Sequence, residues 1–228
     1  MIDIHAHFLP QMDDGAESVD ESLAMLWAAY QQGVTTVVAT PHCIIHGKNS
    51  VNQFLKARKA AYGKIKKVKN LPDIILGAEV MMDHDLSDDP DVKKLCIENT
   101  DYMLIEFANM GIGVGETEFE YIYNLTLLGI KPIIAHIDRY PHSLRIMSML
   151  GDLDVIFQVN AARFVSRIER KDVAKILKTG YSVVVASDMH NTKSRPCRMK
   201  EAHEMSIRHF LANTKRIFPA NIESLCEM

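Results

Sequence analysis

The stretch Met1-Ile2-Asp3-Ile4-His5-Ala6-His7 decides how the rest of the chain is read. Asp3, His5 and His7 alternate with Ile2, Ile4 and Ala6. In a strand successive side chains point to opposite faces, so the three polar residues share one face. Two imidazoles at that spacing, at a strand's exit, can close on one divalent ion, and Asp3 is expected below them to orient a ring. For an isolated His-x-His, an edge strand with surface histidines would be the better account. Against that stands the rest of the chain, where six further apolar runs end in His, Asp, Glu or Asn.

Working outward, the run 34–39 delivers Thr40-Pro41-His42 and the run 73–78 delivers Glu79. The run 102–105 delivers Glu106, and 132–135 delivers His136, Asp138 and Arg139. The run 154–159 delivers Asn160, and 183–186 delivers Ser187, Asp188 and His190. Helices are expected at about 18–32, 51–67, 92–98, 116–128, 143–150, 166–178 and 198–211. The first has Ser18 and Glu21 spaced as a capping box and Leu23, Leu26, Trp27 and Tyr30 as its apolar stripe. The second has a basic face, read as solvated. Gly111, Gly113 and Gly115 are not spaced as a dinucleotide fingerprint and read as a mobile loop.

Strands alternating with helices of modest length predict a parallel sheet with helical crossovers. An open sheet would gather its site at one switch point. Polar residues at the exit of every strand fit instead a closed barrel with its site on the C-terminal face of the strands. The expected fold is α/β, a seven-stranded TIM-like barrel, as a single domain over residues 1–228.

Composition is that of an ordinary globular protein, 47% hydrophobic and 24% charged. A formal net charge of −3 provides no basic footprint for nucleic acid or acidic membranes. No apolar run approaches the length of a membrane span. Cys43, Cys96, Cys197 and Cys226 include no Cys-x-x-Cys pair, and no basic-then-apolar leader precedes the first strand. The expectation is a cytoplasmic protein with free thiols.

One face would then gather His5, His7, Asp14, His42, Glu79, Glu106, His136, Asp188 and His190. Nine nitrogen and oxygen donors exceed what one tetrahedral zinc needs. They suit two or three divalent ions, and the lack of thiolate favours manganese, iron or zinc. Such a site generates a nucleophilic hydroxide near neutral pH and clamps phosphoryl oxygens. Arg139 could offer its donor fork to phosphate, and Arg195 could do the same. A metal-dependent phosphoesterase is the class these residues support. Cysteine-based phosphatase chemistry needs Arg six positions after Cys; Asn49, Tyr102 and His203 occupy those places, and Cys226 has too little chain after it. No Walker loop or Gly-x-Ser-x-Gly elbow is present.

Several motifs carry a family resemblance: 1–7, Met-Asp-Asp-Gly at 12–15, Thr-Pro-His at 40–42 and Gly-Ala-Glu at 77–79. Leu-Ile-Glu-Phe at 104–107, Ile-Ala-His-Ile-Asp-Arg-Tyr at 134–140 and Ala-Ser-Asp-Met-His-Asn at 186–191 complete the set. Across essentially its whole length the chain resembles the polymerase and histidinol phosphatase (PHP) superfamily. Within it, the resemblance is to the manganese-dependent protein tyrosine phosphatases of bacterial capsule and exopolysaccharide loci. That implies a distorted (β/α)7 barrel with a trinuclear site. His5, His7, Glu79 and Asp188 would hold one ion. Glu79 would bridge to a second ion shared with Glu106 and His136, and Asp14, His42 and His190 would hold the third. Arg139 and Arg195 would hold phosphate, with Asp14 or His42 as general acid. The implied partner is a phosphotyrosine protein, notably a bacterial tyrosine kinase controlling polysaccharide assembly; a homo-oligomer stays open.

Two stretches depart from the family pattern: Gln11-Met12 before Asp-Asp-Gly, and Cys43-Ile44-Ile45-His46-Gly47 after His42. The second, with Ile44 and Ile45 at the mouth, bears on the substrate rim and not on the metal site. The nearest rival is a small-molecule phosphatase acting on a compound such as histidinol phosphate; Glu106, chain length and the Asp-Arg-Tyr segment speak against it. A non-catalytic accessory module is opposed by the complete set of donors, and a nuclease by the charge.

Overall fold

Every strand pairing in the computed structural model is parallel. It describes residues 1–45, 50–65, 70–108, 114–220, 222, 223 and 225. The strands are β1 (Ile2–Ala6), β2 (Thr36–Ala39), β3 (His42–Cys43), β4 (Asp73–Leu76) and β5 (Glu79–Met82). They continue as β6 (Tyr102–Phe107), β7 (Lys131–Ile134), β8 (Ile156–Asn160) and β9 (Val183–Ala186). They form one sheet ordered β1-β2-β4 and another ordered β3-β5-β6-β7-β8-β9.

Two interrupted strands join these sheets into the expected seven-stranded ring. Between β2 and β3 the chain passes Thr40-Pro41, and proline has no N–H for the ladder. Between β4 and β5 it passes Gly77-Ala78. A Cβ on Gly77 would meet Val38 Cγ1 at 3.0 Å, so a side chain there would crowd the neighbouring strand. Backbone bonds carry the pairing across both breaks, from Gly77 N–H to Ala39 O and from Glu79 N–H to Pro41 O. The ring closes between first and last strands, where Asp188 N–H donates to His5 O and His7 N–H to Met189 O. Glu79 therefore opens a strand segment that runs to Met82, whereas the sequence reading ended the strand before it.

Ile2, Ile4, Val38, Leu104, Ile133, Ile156 and Val184 form one buried cluster drawn from strands all around the ring. In β6 the alternation runs Tyr102, Leu104, Glu106, and in β8 Ile156, Gln158, Asn160. Apolar residues thus plug the barrel interior, and the polar layer stands above them toward the strand exits.

The helices are α1 (Val19–Gln31), α2 (Val51–Gly63), α3 (Glu116–Leu127), α4 (Ser143–Leu150), α5 (Ala161–Val165), α6 (Arg170–Lys178) and α7 (Met199–Ile217). Residues 92–95 form only a 3-10 turn. Ser18 caps α1 by accepting from Glu21 N–H, but the Glu21 carboxylate returns to Glu17 N–H instead of closing the box on Ser18. The stripe that α1 buries is Ser22, Met25, Leu26 and Ala29. Trp27 and Tyr30, expected in the core, are exposed. Leu26 is buried as expected and Leu23 packs against the core, so the buried face is turned away from Trp27 and Tyr30. The helix expected at 166–178 is α6, which starts only at Arg170, and the unexpected α5 precedes it, starting straight from the exit of β8. On α2 Arg58 is buried and donates to Gly77 O, so its basic face is not wholly solvated. Gly115 is the N-cap residue before α3; Gly111 and Gly113 lie outside the described residues.

Candidate metal centre

All nine candidate donors arrive at the C-terminal mouth of the barrel. His5 stands on β1 and His7 just past it, His42 on β3, Glu79 on β5 and Glu106 on β6. His136 follows β7, and Asp188 and His190 follow β9. His136 (φ 33°) and Asp188 (φ 53°) adopt left-handed backbone. That conformation is unusual for residues with a side chain, and here it turns the chain abruptly at a strand exit. Asp14 comes from the loop after β1. Gly15 in that loop lies so close to His7 that a Cβ would fall 1.9 Å from His7 O, which only glycine permits.

The distances are those of a single cluster. Glu79 is central: its Oε1 lies 2.9 Å from His136 Nε2 and 3.3 Å from His5 Nε2. Its Oε2 lies 2.9 Å from His42 Nδ1 and 3.2 Å from His7 Nε2. Glu106 Oε1 is 3.3 Å from His136 Nε2. Asp188 Oδ1 is 3.5 Å from His5 Nε2. Asp14 Oδ1 is 3.4 Å from His42 Nε2 and 3.3 Å from His190 Nε2, and the His190 ring stacks on His7 at 3.9 Å. Three sets have donor atoms close enough to share an ion: His5, His7 and Glu79; His42, Glu79 and Glu106; and His7, Asp14, His42 and His190. His42 belongs to two of them, one ring nitrogen facing each.

The donors fit cations better than they fit one another. Glu79 Oε2, Asp188 Oδ1, His42 Nδ1 and His190 Nε2 are buried with no hydrogen-bond partner. Buried polar atoms are normally paired, so these atoms, gathered at the barrel mouth, fit cations held among them. His5 Nδ1 lies 3.2 Å from Gln158 Oε1, and His7 Nδ1 2.7 Å from Asp13 Oδ2. Those oxygens accept, so each Nδ1 carries the hydrogen. The two Nε2 atoms are then left facing each other at 3.0 Å. A metal ion or a shared proton must relieve that contact.

In the protein without metal, protons take that role. Burial opposes charge on His7, but hydrogen bonds to Asp13 and Glu79 outweigh it and lift its pKa to about 9. His5, His42 and His136 are also raised, each by neighbouring carboxylates acting against burial. Glu79 is held well below the carboxylate range despite its burial, by His5, His136 and His42. Asp188, although buried, is lowered to about 2 by His5 and Arg195. His190 goes the other way, to about 4, through burial and the charge on His7.

At the mouth, Arg195 Nη2 donates to Asp188 Oδ2 at 2.8 Å, and Arg139 Nη1 lies 3.6 Å from the same oxygen. The Asn191 side chain accepts from Lys193, Ser194 and Arg195 N–H groups, which fixes the loop that presents Arg195. Beside Asp14 and His42 a groove of about 820 Å³ opens, lined also by Met12, Ile44, Gln53 and Phe54.

Residues 1–227 match the family described as capsular polysaccharide synthesis, CpsB/CapC. The chain belongs to that family. Among CpsB/CapC relatives, it is 31% identical to the tyrosine-protein phosphatase CpsB of Streptococcus pneumoniae, over 97% of this chain and 96% of that protein. Identity to the tyrosine-protein phosphatase YwqE of Bacillus subtilis is 30%, over 99% of this chain and 91% of YwqE. A crystal structure from work on YwqE and CpsB, described as unique metal-dependent tyrosine phosphatases, superposes with TM-score 0.72. It is 26% identical, covering 95% of this chain and 94% of that one. A dihydroorotase from Campylobacter jejuni, at TM-score 0.56 and 11% identity, shares only the fold.

One role expected within the CpsB/CapC site is corrected. Asp3 touches no imidazole: its Oδ1 accepts from the backbone N–H groups of Ser187 and His5. The β1–β2 register shifts between Asp3 and Ala6, so simple alternation does not carry Asp3 beneath the rings. Ring orientation comes from Asp13 and Gln158, neither of which sequence reasoning selected. Gln158 was signalled by a lone amide in the apolar run Ile156-Phe157-Gln158-Val159. Nothing in the sequence separated Asp13 from Asp14. His46 and Gly47 of the atypical rim lie outside the described residues.

Proposed function

We propose that this chain, as one domain over residues 1–228, is a metal-dependent phosphatase that hydrolyses phosphotyrosine on a protein. Its substrate would be a bacterial tyrosine kinase governing capsule or exopolysaccharide synthesis. The observation that carries this reading is the convergence of buried, unpartnered donors beneath two arginines, in a member of the CpsB/CapC family. Three buried free thiols, Cys43, Cys96 and Cys197, fit a cytoplasmic setting. No helix among the described residues is long and apolar enough to cross a membrane.

His5, His7, Glu79 and Asp188 would hold one ion, Glu79 with Glu106 and His136 a second, and Asp14, His42 and His190 a third. Their all-nitrogen-and-oxygen chemistry suits manganese, with iron or zinc as alternatives. When bound, such ions supply an activated water and neutralise phosphoryl charge. The protein's own part is positioning and proton control. Arg139 and Arg195 would leave Asp188 Oδ2 for the phosphoryl oxygens and stabilise their charge in the transition state. Where it is not committed to the third ion, Asp14, the exposed member of the cluster, would protonate the leaving oxygen, with His42, 3.4 Å away, as the other candidate. A phenol leaves with a pKa of about 10 and so needs less protonation than an alkyl alcohol. The groove walled by Met12, Ile44 and Phe54 gives the tyrosyl ring and its flanking peptide an apolar exit from the cluster.

The test is hydrolysis of a phosphotyrosine peptide against histidinol phosphate by chelator-stripped protein, with and without manganese. Manganese-dependent turnover of the peptide alone is expected. The reverse preference would move the protein to small-molecule metabolism.

A further inference from the structure

One barrel strand contributes no candidate donor. β1 brings His5, the segments β3 and β5 bring His42 and Glu79, β6 brings Glu106, and His136, Asp188 and His190 follow β7 and β9. At the same height β8 offers Gln158, fully buried, and Asn160. Neither carries a charge, and neither is among the residues proposed above to bind metal or phosphate.

The amides are nevertheless wired into the cluster in one direction. His136 backbone N–H points at Gln158, and a backbone N–H can only donate, so the facing atom is the carbonyl oxygen Oε1. The same oxygen lies 3.2 Å from His5 Nδ1, which must therefore be the protonated nitrogen. His5 Nε2 is left facing Glu79 and Asp188, where it can carry a proton or hold an ion. The other end of the amide, Nε2, donates to Asn160 Oδ1 at 2.8 Å. Asn160 Nδ2 is thereby the donor to Asp188 Oδ2, at 3.2 Å. Asn160 is anchored in turn by its backbone N–H to Asp138 Oδ1, and Asp138 Oδ2 accepts from Arg163 Nε at 2.8 Å.

We propose that Gln158, acting with Asn160, is the positioning residue of the centre: it selects the Nδ1–H form of His5, pins the left-handed turn at His136 and holds Asp188 toward the ion. Three donors from three different strands are thus set by two linked amides, Gln158 touching His5 and His136 and Asn160 touching Asp188. Outer partners of this kind fix the ring and tautomer of a ligating histidine, and losing one costs about 10–100-fold in metal affinity. The inference rests on the reading of this cluster as a metal centre.

The experiment measures manganese affinity by titration, with kcat and KM at saturating manganese, for wild type, Gln158→Leu, Gln158→Glu and Asn160→Ala. Nuclear magnetic resonance of the zinc-loaded proteins follows the His5 Nδ1–H proton. Expected is about 10–100-fold weaker manganese binding in Gln158→Leu, with loss of the protected Nδ1–H signal. At saturating manganese kcat should fall with KM little changed. Gln158→Glu retains an acceptor and should keep the signal and most of the affinity. Asn160→Ala should keep the signal but bind manganese more weakly, because only the Asp188 arm is cut. A folded Gln158→Leu with wild-type affinity and an intact His5 signal would overturn the proposal. Should that variant fail to fold, Asn160→Ala decides, and unchanged manganese affinity there would overturn it. Wild type that binds no manganese would instead contradict the metal centre itself.

Discussion

The floor and the rim of this site are built differently. On the floor, His5, His7, Glu79, His136 and Asp188 are all but inaccessible to solvent, and each sits on a strand or within two residues of one. At the rim, the side chains of Asp14, His42, Arg139 and Arg195 are 65%, 25%, 33% and 36% exposed. Three of these four stand on loops or short turns. The floor is held by barrel geometry and by buried amide and carboxylate partners. Over the rim, solvent screens charge. In the proposed function two ions would rest on the floor, and the third ion, with the phosphate, would be held toward the rim.

The largest effect that would break this division is on the floor. His136→Ala is expected to lose bound metal and activity together, as measured by elemental analysis and peptide turnover; retention of either would remove His136 from the ion-binding layer. At the rim, Arg139→Ala should keep its metal and lose about 10²–10³-fold in kcat, the scale for one donor to a developing charge. Full activity in that variant would leave Arg139 without a role.

A pH titration sharpens the same contrast. In chelator-treated protein, the folded pKa of His7, about 9, exceeds its unfolded value of 6.5. A raised histidine contributes stability fully below its unfolded pKa and loses it as pH climbs through the folded one. The shifts at His5, His42 and His136 have the same sign. The melting temperature should therefore fall between about pH 6.5 and pH 9, and added manganese should lessen the fall by taking the protons' place. A melting temperature that rises over that window would contradict the protonated floor. The smallest effect is outside the site altogether: Trp27→Ala, on the exposed side of α1, should change stability by no more than about 0.5 kcal/mol in a denaturant melt.

Floor and rim residues were both legible, the floor ones most directly. His5-x-His7, Glu79, Glu106, His136 and Asp188 end apolar runs, and strand periodicity alone assigns such residues to one face. The seven-stranded ring was legible for the same reason. Its two breaks were not, because Pro41 and Gly77 look like strand ends until the neighbouring ladder is seen to continue across them. Contacts between distant positions stayed hidden as well. Gln158 meets His5 across 153 residues, and no local pattern reports such a pairing. Asp13 orients His7 while its neighbour Asp14 faces His42, a division set by the tight turn at Gly15.

The most direct test of the central claim is diffraction from manganese-soaked crystals at the manganese absorption edge. Anomalous peaks among His5, His7 and Glu79, between Glu79 and Glu106, and beside Asp14 and His190 are the predicted result. A cluster with no anomalous peak in crystals that bind manganese elsewhere would contradict it.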